Sequence, residues 1–327
     1  MFSSNLDFNP DELPYYNPIK DRKVALITGG NSGIGFYTVL HLYLHGFIVY
    51  IAGRNFNKVS QAIKKLKIEA NRRRSLIVEN DLNSRFLGEL KFIEIDLLNL
   101  LNVEKSTKIF KQLESNLNLL ILNAGVGALP FGITSDGFEI QFQTNFISNF
   151  LLTQRLLPII NNGGRIIYIS SIAHRLEFFQ FDRNWNFNLK PNIIFTWFRY
   201  AMAKSSGIQY MKLLSIKYPN ILCYSLHPGF IMNTNFFAYW TRIPFFGIFF
   251  WFFFQIFGWF FGCSNEEGSF VTLNCSLNKK IYKNGSYFTT GGKLINSSRI
   301  SNDLNYATDT WIWTIKELEK RGFKNLD

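Results

Sequence analysis

The chain has 327 residues, 47% apolar and 18% charged, enough for one large domain with a sizeable core and unlike a disordered or collagen-like chain. Three cysteines without a C-x-x-C spacing and only four histidines exclude a disulfide framework and leave little for a metal site, so none is expected. Lysine and arginine exceed aspartate and glutamate by 12, a surplus that suits a phosphorylated cofactor, an anionic membrane surface or nucleic acid.

Residues 1–22 carry Pro10, Pro14 and Pro18 and no apolar stretch of signal-peptide length, so they read as an extended arm. From Lys23 short β-rich runs alternate with helical periods. Val24–Thr28 is a strand, followed by a glycine-rich turn and a helix over Gly35–His45, with His41 and His45 expected on its outer face. Phe47–Ala52 is a second strand and Lys58–Asn71 a helix. Arg72-Arg73-Arg74 at its end reads as solvated, and no recognition motif beside it speaks for nucleic acid. Lys91–Ile95, Leu119–Leu122, Arg165–Ile169 and Ile221–Ser225 are further strands, separated by helical stretches over Val103–Glu114, Phe138–Ile160 and Trp197–Tyr218. This alternation predicts an α/β fold: one doubly wound parallel-sheet domain over residues 23–322.

One segment stands apart. The run Ile243–Gly262, inside an aromatic insertion at 236–262, holds twenty residues without a charge. As a helix it would be ~30 Å long, the thickness of a bilayer core. Pro244 and the glycines weaken a straight helix, and sheet-forming text continues on both sides. A lid that covers an apolar substrate or dips into one leaflet is therefore expected in preference to a span.

Thr28-Gly29-Gly30-Asn31-Ser32-Gly33-Ile34-Gly35 lies between the first strand and the first helix. A diphosphate needs a tight turn without Cβ obstruction, close backbone approach and a helix N-terminus, and Gly29, Gly33 and Gly35 can supply these in that order. The second strand ends Ala52-Gly53-Arg54-Asn55, with no carboxylate for a ribose 2′-hydroxyl; Arg54 offers a guanidinium to a 2′-phosphate instead. Tyr200-Ala-Met-Ala-Lys204 falls in a helical stretch, so phenol and ammonium share a face. An adjacent ammonium would lower the phenol pKa from about 10 and make it a usable proton donor. A second Tyr-x-x-x-Lys, Tyr16 to Lys20, is set among Pro14 and Pro18, cannot be helical and is rejected.

The T-G-x-x-x-G-x-G spacing, Asn145 in Phe142-Gln-Thr-Asn145-Phe, Ser171 closing the fifth strand and the Tyr200/Lys204 pair together resemble the short-chain dehydrogenase/reductase family. Ala128-Leu-Pro-Phe131, Thr134-Ser-Asp-Gly137, Ser170-Ser171-Ile-Ala-His174, Glu267-Gly268 and Gly285-Ser-Tyr-Phe288 are similar to its retinol-dehydrogenase-like and WW-domain-containing-oxidoreductase-like branch, with no WW module expected in residues 1–22. The resemblance implies a Rossmann-type fold and a tetrad of Asn145, Ser171 (Ser170 as runner-up), Tyr200 and Lys204. For the cofactor it implies Gly29, Asn31, Ser32, Gly33, Ile34 and Gly35 in the loop, Arg54 and Asn55 after the second strand, and Asp96 and Leu97 after the third. Asn123-Ala124-Gly125, Tyr200, Lys204, Pro228-Gly229 and Thr234 (or Asn233) complete that set, while His227 reads as structural. The implied activity is NADP(H)-dependent interconversion of a lipophilic alcohol and its carbonyl compound, a retinoid, a steroid or a lipid aldehyde or ketone, with NAD(H) as the alternative cofactor. A cytoplasmic place on an intracellular membrane, contact with it through 243–262, and either a homodimer formed by the helices of Asn145 and Tyr200 or a monomer held on the membrane by the insertion are further expectations. A non-catalytic, nucleotide-binding scaffold on a membrane remains the other reading.

Overall fold

In the strand β1 (Val24–Thr28) every residue is buried: Val24 and Leu26 belong to one apolar core, Ala25 and Ile27 to another. A strand covered on both faces is a continuous apolar run, which is how the sequence writes it. The computed structural model describes residues 8–77, 84–180, 182, 187–231, 252, 256 and 262–326. After β1 come α1 (Gly33–Leu44), β2 (Ile48–Gly53), α2 (Phe56–Arg74), β3 (Glu89–Glu94), α3 (Leu100–Leu113) and β4 (Leu117–Leu122). The next helix, α4, joins Ile140–Phe142, a π-helical turn at Gln143–Ile147 and Ser148–Leu156. Then follow β5 (Ile160–Ile169), α5 (Asn192–Lys217), β6 (Leu222–Leu226), β7 (Phe230–Ile231), β8 (Gly262–Cys263), α6 (Asn265–Leu277), β9 (Tyr287–Thr289), β10 (Lys293–Ile295), α7 (Arg299–Asn302) and α8 (Leu304–Lys320).

The main sheet has the order β10-β9-β6-β5-β4-β1-β2-β3, parallel throughout except for β10 on β9. This is the doubly wound sheet expected. Chain direction across the sheet reverses between β1 and β4, and that switch point opens a crevice at their carboxyl ends. Phe110, Phe142, Phe146 and Phe150 fill the core between the sheet and α3, α4, α5 and α8; Val39, Leu40, Val59, Leu66 and Val271 fill the one under α1, α2 and α6.

His41 and His45 are not on an outer face. His45 is fully buried under the N-terminal arm, its ring 4.0 Å from that of Tyr15 and its Nδ1 3.1 Å from the Pro14 carbonyl. His41 lies under α6, with Nε2 2.9 Å from Glu266. Both covers come from distant parts of the chain, which the periodicity of α1 alone cannot register. The aromatic insertion at 236–262 falls outside the described residues except for Phe252, Ile256 and Gly262. No helix among the described residues is long and apolar enough to cross a membrane.

Candidate active site

Gly29 turns the chain out of β1 with φ 68°, a left-handed conformation that is costly with a Cβ. A Cβ on Gly35 would run into the Gly29 carbonyl, and one on Gly29 would reach 3.0 Å from Ala124 Cα. The bare backbone therefore packs onto the end of β4. The first bond of α1 runs from Phe36 N–H to Ser32 O (3.2 Å), so the N–H groups of Gly33, Ile34 and Gly35 have no acceptor within the helix. Ser32, the exposed N-cap, makes no side-chain cap bond. A turn cleared of side chains with donors at a helix start fits a diphosphate.

Asn123 fastens this loop. Its Nδ2 donates to the carbonyls of Thr28 (2.8 Å) and Gly29 (3.2 Å), while Thr28 Oγ1 accepts from the N–H groups of Asn123 (3.0 Å) and Ala124 (2.9 Å). Thr28 heads the T-G-x-x-x-G-x-G spacing, but its grip on the turn after β4 joins residues 95 apart and leaves no local mark in the sequence. Arg54 stands exposed just past β2, and the Asn31 side chain lies 4.0 Å from where a Cβ on Gly53 would be. Asn55 is the N-cap of α2, accepting from Lys58 N–H at 2.9 Å. Asp96 lies two residues past β3, half-buried, and accepts from Leu98 N–H at 3.0 Å. The Leu97 carbonyl is held by Ser148 Oγ (2.6 Å).

Across the crevice, α5 carries Tyr200 and Lys204, both buried. Ser171 hydrogen-bonds the Tyr200 phenol and accepts from Ala173 N–H at 3.2 Å, as N-cap of the turn Ile172–Leu176. Ser170 instead donates to the Lys204 carbonyl (3.2 Å), which leaves Ser171 as the serine that meets the phenol. Lys204 Nζ donates to the Ile169 carbonyl (2.8 Å) and lies over the rings of Tyr168 (5.3 Å) and Tyr200 (5.8 Å). Burial lowers the Lys204 pKa to about 7. Burial also raises the Tyr200 pKa, and the Ser171 bond offsets this only in part. The expected lowering of the phenol by Lys204 is not seen in the chain alone, where desolvation dominates and Ser171 is the group that opposes it.

Asn145 sits in the π-helical turn and is fully buried. Its amide is committed: Nδ2 donates to the carbonyls of Val126 (2.7 Å) and Gln141 (2.8 Å), and Oδ1 accepts from Val126 N–H (3.0 Å). A Cβ on Gly125 would lie 2.6 Å from Asn145 Oδ1 and 3.1 Å from Lys204 Nζ, so this glycine brings the N-A-G turn, the asparagine and the lysine together. Two contributors were missed in the sequence. Tyr168 donates to the carbonyls of Asn145 (3.1 Å) and Ala203 (3.3 Å) from inside β5, where a tyrosine among isoleucines looks like core. His174 was noted only as part of a motif, and its ring bonds the Ser171 carbonyl (2.6 Å).

Gly229 has φ 94°, and a Cβ there would lie 2.9 Å from Cys263 Sγ; that thiol points to the Pro228 carbonyl at 3.5 Å. His227 accepts from Gly229 N–H (3.2 Å) and pairs with Thr289 Oγ1 (2.7 Å), and burial lowers its pKa to about 4. These bonds agree with a structural histidine. Thr234, with Asn233, lies outside the described residues.

Comparison with known proteins joins this geometry to a family. The family model for short chain dehydrogenase matches residues 23–182. A short-chain dehydrogenase/reductase of Aspergillus calidoustus is 30% identical over 94% of this chain and 98% of its own. The WW domain-containing oxidoreductase of Drosophila melanogaster is 28% identical over 91% of this chain and 70% of its own, and retinol dehydrogenase 12 of Mus musculus 28% over 86% and 81%. An uncharacterized protein from Mycobacterium paratuberculosis shares the fold, with a TM-score of 0.67 at 22% identity over 95% of this chain and 97% of that one. With its glycine turn, its Ser171–Tyr200 pair and relatives matched over nearly its whole length, the chain belongs to the short-chain dehydrogenase/reductase family, oxidoreductases that act on CH–OH groups with NAD(P), and to its retinol-dehydrogenase-like and WW-domain-oxidoreductase-like branch.

Proposed function

We propose that the protein interconverts a lipophilic alcohol and its carbonyl compound with NADP(H), using Tyr200 as proton donor and acceptor. The observation that carries this reading is the hydrogen bond between Ser171 and Tyr200 with Lys204 one turn away, buried at the carboxyl edge of the sheet. When bound, the dinucleotide supplies or takes the hydride. The chain does the rest. Ser171 Oγ orients the substrate oxygen, Tyr200 Oη delivers the proton to it in reduction and takes it back in oxidation, and Lys204 provides positive charge beside the phenol. Asn145 holds the Val126 turn against Lys204. The backbone N–H groups of Gly33, Ile34 and Gly35 would hold the diphosphate, with Asn31 and Ser32 at its rim, and Arg54 a 2′-phosphate, with Asn55 beside it. Asp96, Leu97, Asn123, Ala124 and Gly125 would flank the adenosine, and Pro228, Gly229 and Thr234 the nicotinamide.

A lipophilic substrate is supported by the insertion Ile243–Gly262, twenty residues without a charge. Its flanks, β7 and β8, pair in parallel, Phe230 with Gly262 and Ile231 with Cys263. The chain thus leaves and returns at one edge, which favours contact with one leaflet over a single crossing, and an intracellular membrane surface as the place of work. The direct test is NADPH oxidation with all-trans-retinal, a 3-ketosteroid and decanal. Tyr200→Phe should lower kcat at least ~100-fold with NADPH affinity unchanged; turnover unaltered by that change would remove the reading.

A further inference from the structure

We propose that His174 is a positioning residue that places the Ser171 hydroxyl against Tyr200 by clasping the Ser171 carbonyl from a fixed anchor on the C-terminal segment. The inference rests on the reading of Ser171 and Tyr200 as the reacting pair. His174 is fully buried. The Ser171 carbonyl accepts two bonds from it, one from the backbone N–H (3.1 Å) and one from ring Nδ1 (2.6 Å). The other ring nitrogen, Nε2, lies 3.0 Å from Ser298 N–H. A backbone N–H can only donate, so Nε2 accepts, the proton sits on Nδ1, and the ring is neutral. Nδ1 also lies 3.4 Å from Tyr287 Oη, which can accept from the same proton, so each nitrogen keeps one role and these contacts together fix the ring plane.

The anchor at Ser298 is tied in turn to the helix of Tyr200. Ser298 Oγ pairs with Ser301 Oγ (2.6 Å), Ser301 Oγ with Ser205 Oγ of α5 (3.1 Å), and Gln209 of α5 donates to the Ile300 carbonyl (3.1 Å). On the other side Arg175, next to His174, donates to the Asn296 carbonyl (2.6 Å). Ser171 and Tyr200 sit on elements far apart in sequence, and the chain from Ser171 through His174, Ser298, Ser301 and Ser205 closes the loop between them. A reacting pair displaced by about 1 Å loses on the order of 10²-fold in rate, which is the scale such a clasp can control.

Two amides separate the contacts. Asn places a donor near where Nδ1 stands, and Gln places an acceptor near where Nε2 stands. His174→Asn should keep kcat within a few-fold of wild type, and His174→Gln should lower it by about 10- to 100-fold, both with unchanged NADPH affinity. In a Ser171→Ala background, His174→Gln should lower kcat no further, because the hydroxyl it places is gone. Equal losses for Asn and Gln, or full additivity with Ser171→Ala, would overturn the proposal. If Tyr200→Phe is inactive while His174→Gln works as wild type, this inference alone fails; if Tyr200→Phe works as wild type, the reacting pair itself fails. Nitrogen-15 shifts of the imidazole in the unmodified protein need no variant: Nδ1 protonated and Nε2 bare is the expected result, and the opposite tautomer overturns the clasp.

Discussion

Arg54 is the residue on which cofactor choice turns. It stands exposed at the end of β2, where no carboxylate is available for a ribose hydroxyl. A charge-assisted bond to a phosphate contributes ~1.5–3 kcal/mol, which is ~10- to 100-fold in affinity. Arg54→Asp should therefore weaken NADPH binding by about that factor and leave NADH binding level or improved, measured by fluorescence titration of both. Equal NADPH affinity in the two proteins would take Arg54 out of the site. Gly207 poses a different test, because two principles oppose each other there. In mid-helix Ala is preferred to Gly by ~1 kcal/mol, yet a Cβ at 207 would overlap the Tyr168 ring. The ring cannot retreat, since its hydroxyl holds the carbonyls of Asn145 and Ala203. Overpacking should win, so Gly207→Ala lowers stability by roughly 2 kcal/mol or more in urea unfolding, and Tyr168→Leu in the same chain recovers part of it. A stabilised Gly207→Ala would mean that α5 lies farther from β5 than described.

Among the elements, α6 shows how the closing part of the chain reaches the nucleotide loop. Ser264 and Glu267 form a capping box, Ser264 Oγ accepting from Glu267 N–H (3.1 Å) and Glu267 from Ser264 N–H (2.8 Å). Glu266 beside them takes both Arg73 Nη atoms of α2 (2.6 and 2.9 Å) and His41 of α1 (2.9 Å). One carboxylate thereby joins three helices, including the one whose N-terminus faces the dinucleotide. Glu266→Gln keeps the size but loses the charge opposite a half-buried arginine, and should cost about 1–3 kcal/mol of stability in urea unfolding. A midpoint equal to wild type would show the cluster to be a solvated surface. The strands and long helices were legible because both faces of the sheet are covered: β1 appears at Val24–Thr28 as read, and α5 contains the whole predicted stretch except its last residue, Tyr218. The π-helical turn was not legible, since it is made by the Asn145 amide reaching Val126 and Gln141, and periodicity reports only which face is apolar. The burial of His41 and His45 was hidden for a related reason: α6 and the arm, which cover them, lie far off in sequence.

For the whole molecule, the residues that close the fold are also those that tie it to pH. His45 sits under the arm, His174 between the Ser171 turn and the C-terminal segment, and His227 between β6 and β9. Burial holds each of their pKa values at about 4, against 6.5 for an exposed imidazole. Between pH 6.5 and 4 the unfolded chain therefore binds these protons and the native one does not, so their part of the stability is full above 6.5 and falls as pH drops through that window. Glu139 works the other way. Burial raises its pKa from 4.5 to about 7 against the opposing charge of Arg199, so the native state holds a proton the unfolded chain has released, and acid favours it between those values. Three protons against one leave a net of two, or roughly 2.7 kcal/mol per pH unit between 6 and 5. Below 4.5 the paired carboxylates Glu69 and Glu266, both held at about 2, add to the fall, because the unfolded chain takes up protons that the arginines keep off these groups in the native state. A domain of ordinary stability, ~5–15 kcal/mol, cannot absorb that slope for long. As pH drops, the urea midpoint should fall first between about pH 10.5 and 7, where the unfolded chain holds the Lys204 proton that burial denies the native one, then decline again from about 6.5 and reach half its pH 7 value or less by pH 4.5. A midpoint unchanged from pH 7 to 5 would mean that the three imidazoles take up protons in place, and with them the covers over α1, the Ser171 turn and the β6–β9 junction would have to be open to water.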